Sequence, residues 1–143
     1  MRILGVDFGD VRTGIAISDI NEFLASSKEV IIEKDIGILA RKIIDIADEY
    51  KISKIVLGYP KNINGTIGER GKKTEHLKHI IEKNSNYSVI LWDERFSTIT
   101  AHNILNQTKT KNKDKKMAVD KIAAAIILQS YLDANRGWHI WKQ

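Results

Sequence analysis

Two short apolar segments of this chain end in acidic residues, at points where a buried strand would reach the edge of its sheet. Asp7 follows Ile3-Leu4-Gly5-Val6, and Asp93 and Glu94 follow the segment Ser88–Trp92. Short apolar runs bounded by polar residues are typical of strands in the core of a sheet. We therefore expect these acids at the tips of core strands, where few folds would place a charge without a reason.

A third acid, Asp120, stands near the start of the apolar segment Met117–Leu132, which predicts a helix. At helical spacing its neighbours are Ala123, Ala124 and Ile127, so Asp120 is expected on the buried face. The two alanines would let this helix approach the sheet closely. Stabilisation by the helix dipole explains why an acid stands in the first turn of a helix, but it does not explain why this acid stands on the apolar face.

Carboxylates gathered at the tips of core elements repel one another. At ~4 Å a like-charged pair costs about 1 kcal/mol in water and ~4 kcal/mol near a protein surface. A divalent cation removes this cost, and acids around a metal ion are the usual apparatus of phosphodiester hydrolysis. Successive strand residues point to opposite faces, so either Asp93 or Glu94 would face such a site, and the period alone leaves both open.

Length and composition indicate one globular domain over residues 1–143. Hydrophobic residues make up 43% of the chain and charged residues 29%, which is an ordinary balance for a domain with a core. The chain has no cysteine, which excludes disulfides and thiolate metal sites. No apolar run approaches the ~20 residues that span a bilayer, and the N-terminus lacks the anatomy of a signal peptide. We expect a cytoplasmic protein with no membrane partner.

The charge of the chain is compatible with a nucleic-acid partner. Its net charge is +5 and its pI is near 9.4, and a basic domain favours phosphate-rich ligands. The polar segment 107–116 has no core-forming residue and is expected to be a mobile basic loop. Its lysines include three candidate phosphate contacts, Lys113, Lys115 and Lys116.

Hydrophobic periodicity predicts an α/β domain. Strands are predicted at Ile3–Phe8, Ile15–Ser18, Glu29–Glu33, Lys54–Gly58 and Ser88–Trp92. Helices are predicted after the N-cap Asp35 as far as Tyr50, over Glu69–Lys83, from Thr98 to Leu105 and over Met117–Leu132. The thin apolar content of Glu69–Lys83 predicts that this helix is mostly exposed, and residues 134–143 are expected to form a C-terminal tail.

Two polar loops that follow strands carry further candidate phosphate ligands. In the turn 9–14, glycines would let the backbone approach an anion and an arginine offers a forked donor. The loop Lys61–Thr66 follows a strand, where α/β sheets usually bind ligands. An ordinary turn rich in Gly, Asp and Asn is the alternative explanation for both. The candidate substrate-binding residues are Arg12, Thr13, Lys61 and Asn62, together with Arg95.

In this order, the motifs resemble the YqgF (RuvX) family. The matching blocks are Gly5-Val6-Asp7-Phe8-Gly9 with Arg12-Thr13-Gly14, Gly58-Tyr59-Pro60 with Asn62 and Gly65-Thr66, Asp93-Glu94-Arg95 with Ser97-Thr98, and Asp120 with Ala123-Ala124. They extend from residue 3 to about residue 133. Tyr59 stands where the family pattern leads us to expect leucine, and Phe96 is a second variation.

The resemblance implies a ribonuclease-H-like α/β fold, with a central five-stranded mixed sheet, its first three strands antiparallel, and helices on both faces. It implies a nuclease that resolves Holliday junctions or matures the 5′ end of the precursor of small-subunit ribosomal RNA. The acidic site of the family maps onto Asp7, Glu94 and Asp120, with Asp93 as the alternate. We expect Asp7 to bridge two Mg²⁺ or Mn²⁺ ions, and Glu94 and Asp120 each to complete the shell of one ion.

Two other functions are consistent with parts of the sequence. A non-catalytic nucleic-acid-binding module in ribosome assembly or transcription would need only the lysines, and its binding would be strongly salt-dependent. An ATP-using enzyme of the actin-like kinase class also begins with Asp-x-Gly, but it needs two such domains. A junction resolvase is expected to be a homodimer, because its substrate offers two symmetric cuts. The helix Glu69–Lys83 and the C-terminal tail are candidate dimer surfaces.

Overall fold

The structure is a computed structural model that describes residues 1–62, 64–94 and 122–136. The strands are β1 (Arg2–Asp7), β2 (Arg12–Ser18), β3 (Ala25–Ile32), β4 (Ile52–Tyr59) and β5 (Val89–Asp93). The helices are α1 (Ile36–Glu49), α2 (Glu69–Lys83) and α3 (122–136). The helix predicted from Thr98 to Leu105 and the basic loop predicted over 107–116 lie outside the described residues.

The five strands form one mixed sheet in the order β3-β2-β1-β4-β5. β2 pairs antiparallel with both β1 and β3, whereas β4 pairs parallel with β1 and β5. The implied five-stranded sheet with three antiparallel strands at its start is therefore confirmed. Because β1, β4 and β5 run in one direction, their carboxyl ends meet at one edge, which is where open α/β sheets bind ligands.

Helices cover both faces of the sheet, as the resemblance implied. On one face, buried residues of β1 and β4 such as Leu4 and Leu57 pack with α1 and α2. On the opposite face, Ile3 and Val56 pack with Ile127 and Leu128 of α3. The alternation of side chains along each strand supplies the two cores, so the parity of a residue decides which helix it meets.

Helices α1 and α2 agree closely with their predicted bounds. The Asp35 side chain caps α1 by accepting a hydrogen bond from the Ile38 amide at 2.9 Å. Helix α2 buries only Gly71, Thr74, Leu77 and Ile81, so most of it is exposed, as its thin apolar content predicted. In the parts of the chain that the structure describes, no helix has the length and hydropathy that crossing a bilayer would require.

Three predicted boundaries are wrong. β2 begins at Arg12 rather than Ile15, because the register with β3 continues through the segment that we predicted as a turn. β3 spans Ala25–Ile32 rather than Glu29–Glu33. This edge strand is exposed along most of its length, so strand pairing holds it in the sheet and its sequence shows no burial pattern. α3 continues to residue 136, which shortens the predicted tail. The bounds of β1, β4 and β5 differ from prediction by only one or two residues.

Helix α3 lies directly against the sheet at Gly5. A Cβ atom built on Gly5 would lie 2.7 Å from the Cβ of Leu128 and 3.1 Å from the carbonyl oxygen of Ala124. Real Cβ atoms do not come as close as the first of these distances, so the glycine and the small alanine together set the spacing between helix and strand. This is the close approach that the small residues predicted.

Replacing Gly5 with alanine should therefore destabilise the fold. The added methyl group must displace α3, and such overpacking typically costs about 1–3 kcal/mol. We expect thermal denaturation of Gly5→Ala to show a Tm lower by several degrees. Gly68→Ala is the matched control, because its new Cβ would lie 3.5 Å from the nearest side chain, which is ordinary contact. Equal Tm values for the two variants would contradict close packing at Gly5.

Candidate active site

Asp7 and Glu94 lie together at the carboxyl edge of the sheet. Asp7 is the last residue of β1, Glu94 directly follows β5, and β4 runs between these strands. Asp7 has the parity of Ile3, and Glu94 has the parity of Trp92, both of which pack on the α3 face. A hydrogen bond joins the two carboxyl groups, and the charge of Asp7 acts on Glu94. Residues separated by most of the chain thus form one carboxylate pair.

The structure places Glu94, rather than Asp93, beside Asp7. Asp93 shares the parity of Val89 and Leu91, which pack in the core formed with α1 and α2. It pairs with Tyr59 in the register of β4 and β5. Its negative charge still reaches Glu94, where it is the weakest of the named influences on the Glu94 pKa.

Glycines on the strands beside β1 make room for this pair. Gly14 is the cross-strand partner of Asp7, so the position opposite this carboxylate on β2 carries no side chain. On β4, a Cβ atom built on Gly58 would collide with a carboxylate oxygen of Glu94 and would lie 2.7 Å from the Cδ1 atom of Ile127. The Glu94 side chain therefore lies across β4 in the space that Gly58 leaves open.

Burial and like charge raise the pKa of Glu94 to about 8. Loss of hydration is the largest cause, followed by the negative charge of Asp7 and the hydrogen bond between the two carboxyl groups. Arg70 acts in the opposite direction and lowers the pKa. This is the behaviour of a carboxylate pair that holds a shared proton. Keeping both groups ionised at neutral pH requires additional positive charge at the site.

Arg70 is a component of the site that sequence reasoning missed. It lies in the first turn of α2, where its Nη2 donates to the Phe8 carbonyl at 2.5 Å and its Nη1 to Asp10 Oδ1 at 2.7 Å. Its guanidinium carbon lies 4.9 Å from the centroid of the Phe8 ring. A signal was available: α2 follows the parallel strand β4, so the first turn of α2 returns to the carboxyl edge of the sheet.

The start of β2 holds two predicted substrate ligands in different environments. Arg12 is exposed, which suits a phosphate contact. Thr13 is fully buried, and its hydroxyl exchanges hydrogen bonds with the amide and carbonyl of Gly9 at 3.3 and 3.4 Å. In this conformation the Thr13 hydroxyl is engaged by Gly9, and its contact with substrate stays a prediction. Because Thr13 alternates with Arg12 along β2, its side chain points inward and stabilises the turn.

The loop after β4 is closed by its own hydrogen bonds. The Asn62 side-chain amide donates to Thr66 Oγ1 at 2.9 Å, and the Asn62 backbone amide donates to the Thr66 carbonyl at 3.0 Å. Gly65 has a φ of 85°, which favours glycine in this turn. Lys61 Nζ lies 5.7 Å from the centroid of the Tyr59 ring. The exposed Asn62 orders the loop that presents Lys61.

Asp7 and Glu94 supply the carboxylate oxygens that Mg²⁺ and Mn²⁺ prefer, and the repulsion between them is what a cation would relieve. Across 1–62, 64–94 and 122–136, no group of three acidic or histidine side chains is arranged to hold a metal ion. The predicted third ligand, Asp120, lies outside these ranges. The same is true of the remaining predicted substrate ligands, Arg95, Lys113, Lys115 and Lys116.

Comparison with known proteins identifies the family. The family described as "RuvX: Holliday junction resolvase" matches residues 1–134. The chain belongs to the RuvX family. It is 40% identical over 136 residues to the "Putative pre-16S rRNA nuclease" of Acetivibrio thermocellus, covering 94% of this chain and 96% of the relative. A relative of the same name from Bacillus subtilis is 40% identical over 138 residues, with 94% and 99% covered.

Solved structures show which fold this RuvX chain shares. Thermus thermophilus RuvC, solved in complex with a Holliday junction substrate, superposes with a TM-score of 0.56 at 12% identity, covering 96% of each chain. Fowlpox virus resolvase, solved with Holliday junction DNA, gives a TM-score of 0.54 at 18% identity, covering 94% of this chain and 98% of the resolvase. The ribonuclease-H-like fold implied by the sequence is thereby confirmed.

The raised pKa of Glu94 predicts how stability depends on pH. The folded protein binds the Glu94 proton more tightly than the unfolded chain, whose carboxyl has its ordinary pKa of 4.5. This contribution to folding stability is therefore lost as the pH rises from that value towards about 8. In chelator-treated buffer, we expect the Tm of Glu94→Gln to fall less than that of wild type between about pH 5.5 and 8.5.

Glu29→Gln is the control for this experiment, because Glu29 is an exposed carboxylate on edge strand β3. It should retain the pH dependence of wild type. Adding Mg²⁺ or Mn²⁺ at the higher pH should raise the Tm of wild type more than that of Glu94→Gln. If Glu94→Gln and wild type lose stability in parallel, the two carboxyl groups are not coupled as described.

Proposed function

We propose that this RuvX protein hydrolyses phosphodiester bonds in structured nucleic acid, with Asp7 and Glu94 as its catalytic carboxylates and Asp120 as the third. The observation that carries the proposal is the hydrogen-bonded carboxylate pair at the carboxyl edge of the sheet, where burial and mutual repulsion raise the pKa of Glu94. Strongly perturbed ionisable groups in such a position are typical of catalytic sites. A nuclease is also what membership of the family implies, as the sequence predicted.

The catalytic carboxylates are suited to hold Mg²⁺ or Mn²⁺. Such an ion, when bound, supplies Lewis acidity towards phosphate oxygens. Asp7 and Glu94 would hold it with their carboxylate oxygens, and we assign the remaining protein ligand to Asp120. Binding requires Glu94 to release its proton, so the affinity for metal should increase with pH.

Precursor ribosomal RNA is our first choice of substrate. The curated relatives at about 40% identity carry the name of a pre-16S rRNA nuclease, whereas the junction resolvases resemble this chain at only 12–18% identity. We therefore propose maturation of the 5′ end of the small-subunit ribosomal RNA precursor, in the cytoplasm. The family description favours resolution of Holliday junctions as the second candidate, and this activity would require a homodimer.

Basic residues around the carboxylates would bind the phosphate backbone. Arg12 is exposed at the start of β2, and Lys61 lies in the loop after β4. Both belong to segments that follow the carboxyl ends of strands next to the acidic pair. We propose that they position the substrate together with Arg95 and the lysines of 107–116, while Thr13 and Asn62 maintain the turns that carry them.

Neutral replacements of the carboxylates should abolish cleavage without abolishing binding. We expect Asp7→Asn, Glu94→Gln and Asp120→Asn each to reduce the cleavage rate by ~100-fold or more, since even supporting residues of metal sites cost 10–100-fold. Asp45→Asn is the control, because Asp45 is exposed on α1. Chelation should stop the wild-type reaction, and Mg²⁺ or Mn²⁺ should restore it.

A parallel digestion separates the candidate substrates. Precursor 16S ribosomal RNA with a 5′ extension and a four-way DNA junction are each incubated with wild type and Asp7→Asn, and the mass of the protein in solution is measured. Cleavage of the RNA by wild type alone supports maturation, and paired cuts in the junction by a dimer support resolution. Salt-dependent binding without cleavage of either substrate would replace the nuclease proposal with the non-catalytic binding module.

A further inference from the structure

Arg70 is held at the edge of the acidic pair by three contacts with the end of β1 and the following turn. Its guanidinium donates to the Phe8 carbonyl and to the Asp10 carboxylate and lies over the Phe8 ring. Phe8 directly follows Asp7 in the chain. The contacts therefore fix a positive charge beside the strand end that carries the first catalytic carboxylate.

The position of Arg70 leaves part of its side chain open to a ligand. The side chain is 39% exposed, and an arginine has five N–H donors in a rigid fork, two of which make the bonds to Phe8 and Asp10. The charge of Arg70 also reaches Glu94. One guanidinium thus lies between solvent, where a substrate would arrive, and the carboxylate pair.

The ion pair with Asp10 does not by itself explain this arrangement. Asp10 is 63% exposed, and ion pairs at such exposure contribute little to stability. Asp10 also faces Lys73, one turn further along α2, with 3.5 Å between the charged atoms. The Asp10 carboxylate, which faces both cations, is well suited to hold the Arg70 guanidinium in place. That guanidinium is a planar fork, which is well suited to bind a phosphate with two hydrogen bonds.

We propose that Arg70 is a phosphate-binding residue of the nuclease site and that Asp10 is a positioning residue that holds its guanidinium before substrate binds. Arg70 would receive a backbone phosphate of the nucleic acid next to Asp7 and Glu94. It would oppose the repulsion between that phosphate and the two carboxylates. The inference rests on the proposed function, because it assigns a substrate contact to the same site.

The test is a salt titration of binding to the 5′-extended precursor RNA and to the four-way junction, in chelator so that no strand is cut. A lost phosphate contact lowers the slope of log affinity against log salt concentration by about 1. We expect Arg70→Gln to bind several-fold more weakly with this reduced slope, and Arg70→Lys to recover most of the slope. Lys73→Gln removes the same charge from the same helix and should keep the wild-type slope.

Asp10→Asn distinguishes a phosphate contact from a purely structural tie between α2 and the turn. If Arg70 only fastens the helix, Asp10→Asn should weaken binding as Arg70→Gln does. If Arg70 binds phosphate and Asp10 only positions it, Asp10→Asn should keep the wild-type salt slope, because Arg70 is still present and still held by Phe8, and it should bind at most slightly more weakly than wild type. If its Tm shows that Arg70→Gln is too unstable to assay, Asp10→Asn compared with wild type still decides the question, because a purely structural tie predicts clearly weaker binding.

Cleavage assays separate failure of this inference from failure of the proposed function. With Mg²⁺ or Mn²⁺ present, Arg70→Gln should show a reduced kcat/KM, and raising the salt concentration should affect it less than wild type. If wild type cleaves but Arg70→Gln has an unchanged binding slope, the role of Arg70 is overturned and the proposed nuclease stands. If wild type does not cleave and the binding slope is reduced only in Arg70→Gln, the proposed nuclease activity is overturned and Arg70 remains a phosphate contact.

Discussion

Repulsion between Asp7 and Glu94 is the constraint around which the carboxyl edge of the sheet is organised. Neighbouring strands lie about 4.8 Å apart, so β1 and β5, on either side of β4, are separated by roughly twice that distance. The two carboxyl groups can share a hydrogen bond only by reaching across β4, and Gly58 leaves the space in which Glu94 does so. The order of the strands, and the absence of a side chain at Gly58, thus hold together two carboxyl groups that repel each other.

The rest of the fold keeps this pair in place. Ile3 and Trp92, on the same strands and faces as the two acids, pack with α3 in the core of that face, and Gly5 lets the helix lie directly on β1. Burial of apolar side chains there offsets the cost of the carboxylates, since both depend on the same strand register. A change that moves α3 or slips β5 by one residue would also separate Asp7 from Glu94.

Much of this arrangement could be predicted because it depends on local periodicity. The parity of Asp7 with Ile3, and of Glu94 with Trp92, is present in the sequence, but only strand order shows that β1 and β5 flank the same strand. Arg70 was missed because its helix was judged by its exposed faces, whereas its role depends on where the first turn of α2 lies. Motif membership likewise does not say which face of β2 a side chain occupies, and the structure buries Thr13, whose hydroxyl bonds to Gly9.

The charges of the protein act at two ranges. A net charge of +5 attracts a polyanion from beyond contact, and salt screens this attraction over about 8–10 Å. At the acidic pair the local charge is negative instead. An arriving phosphate therefore adds negative charge at a place where two carboxylates already repel each other. Positive charge has to be supplied at contact, where screening is weakest. Among the described residues, Arg70 contributes positive charge there, since it lowers the pKa of Glu94, and a divalent cation would supply more. A nuclease that attracted its substrate by net charge alone would still repel it at the point of cleavage.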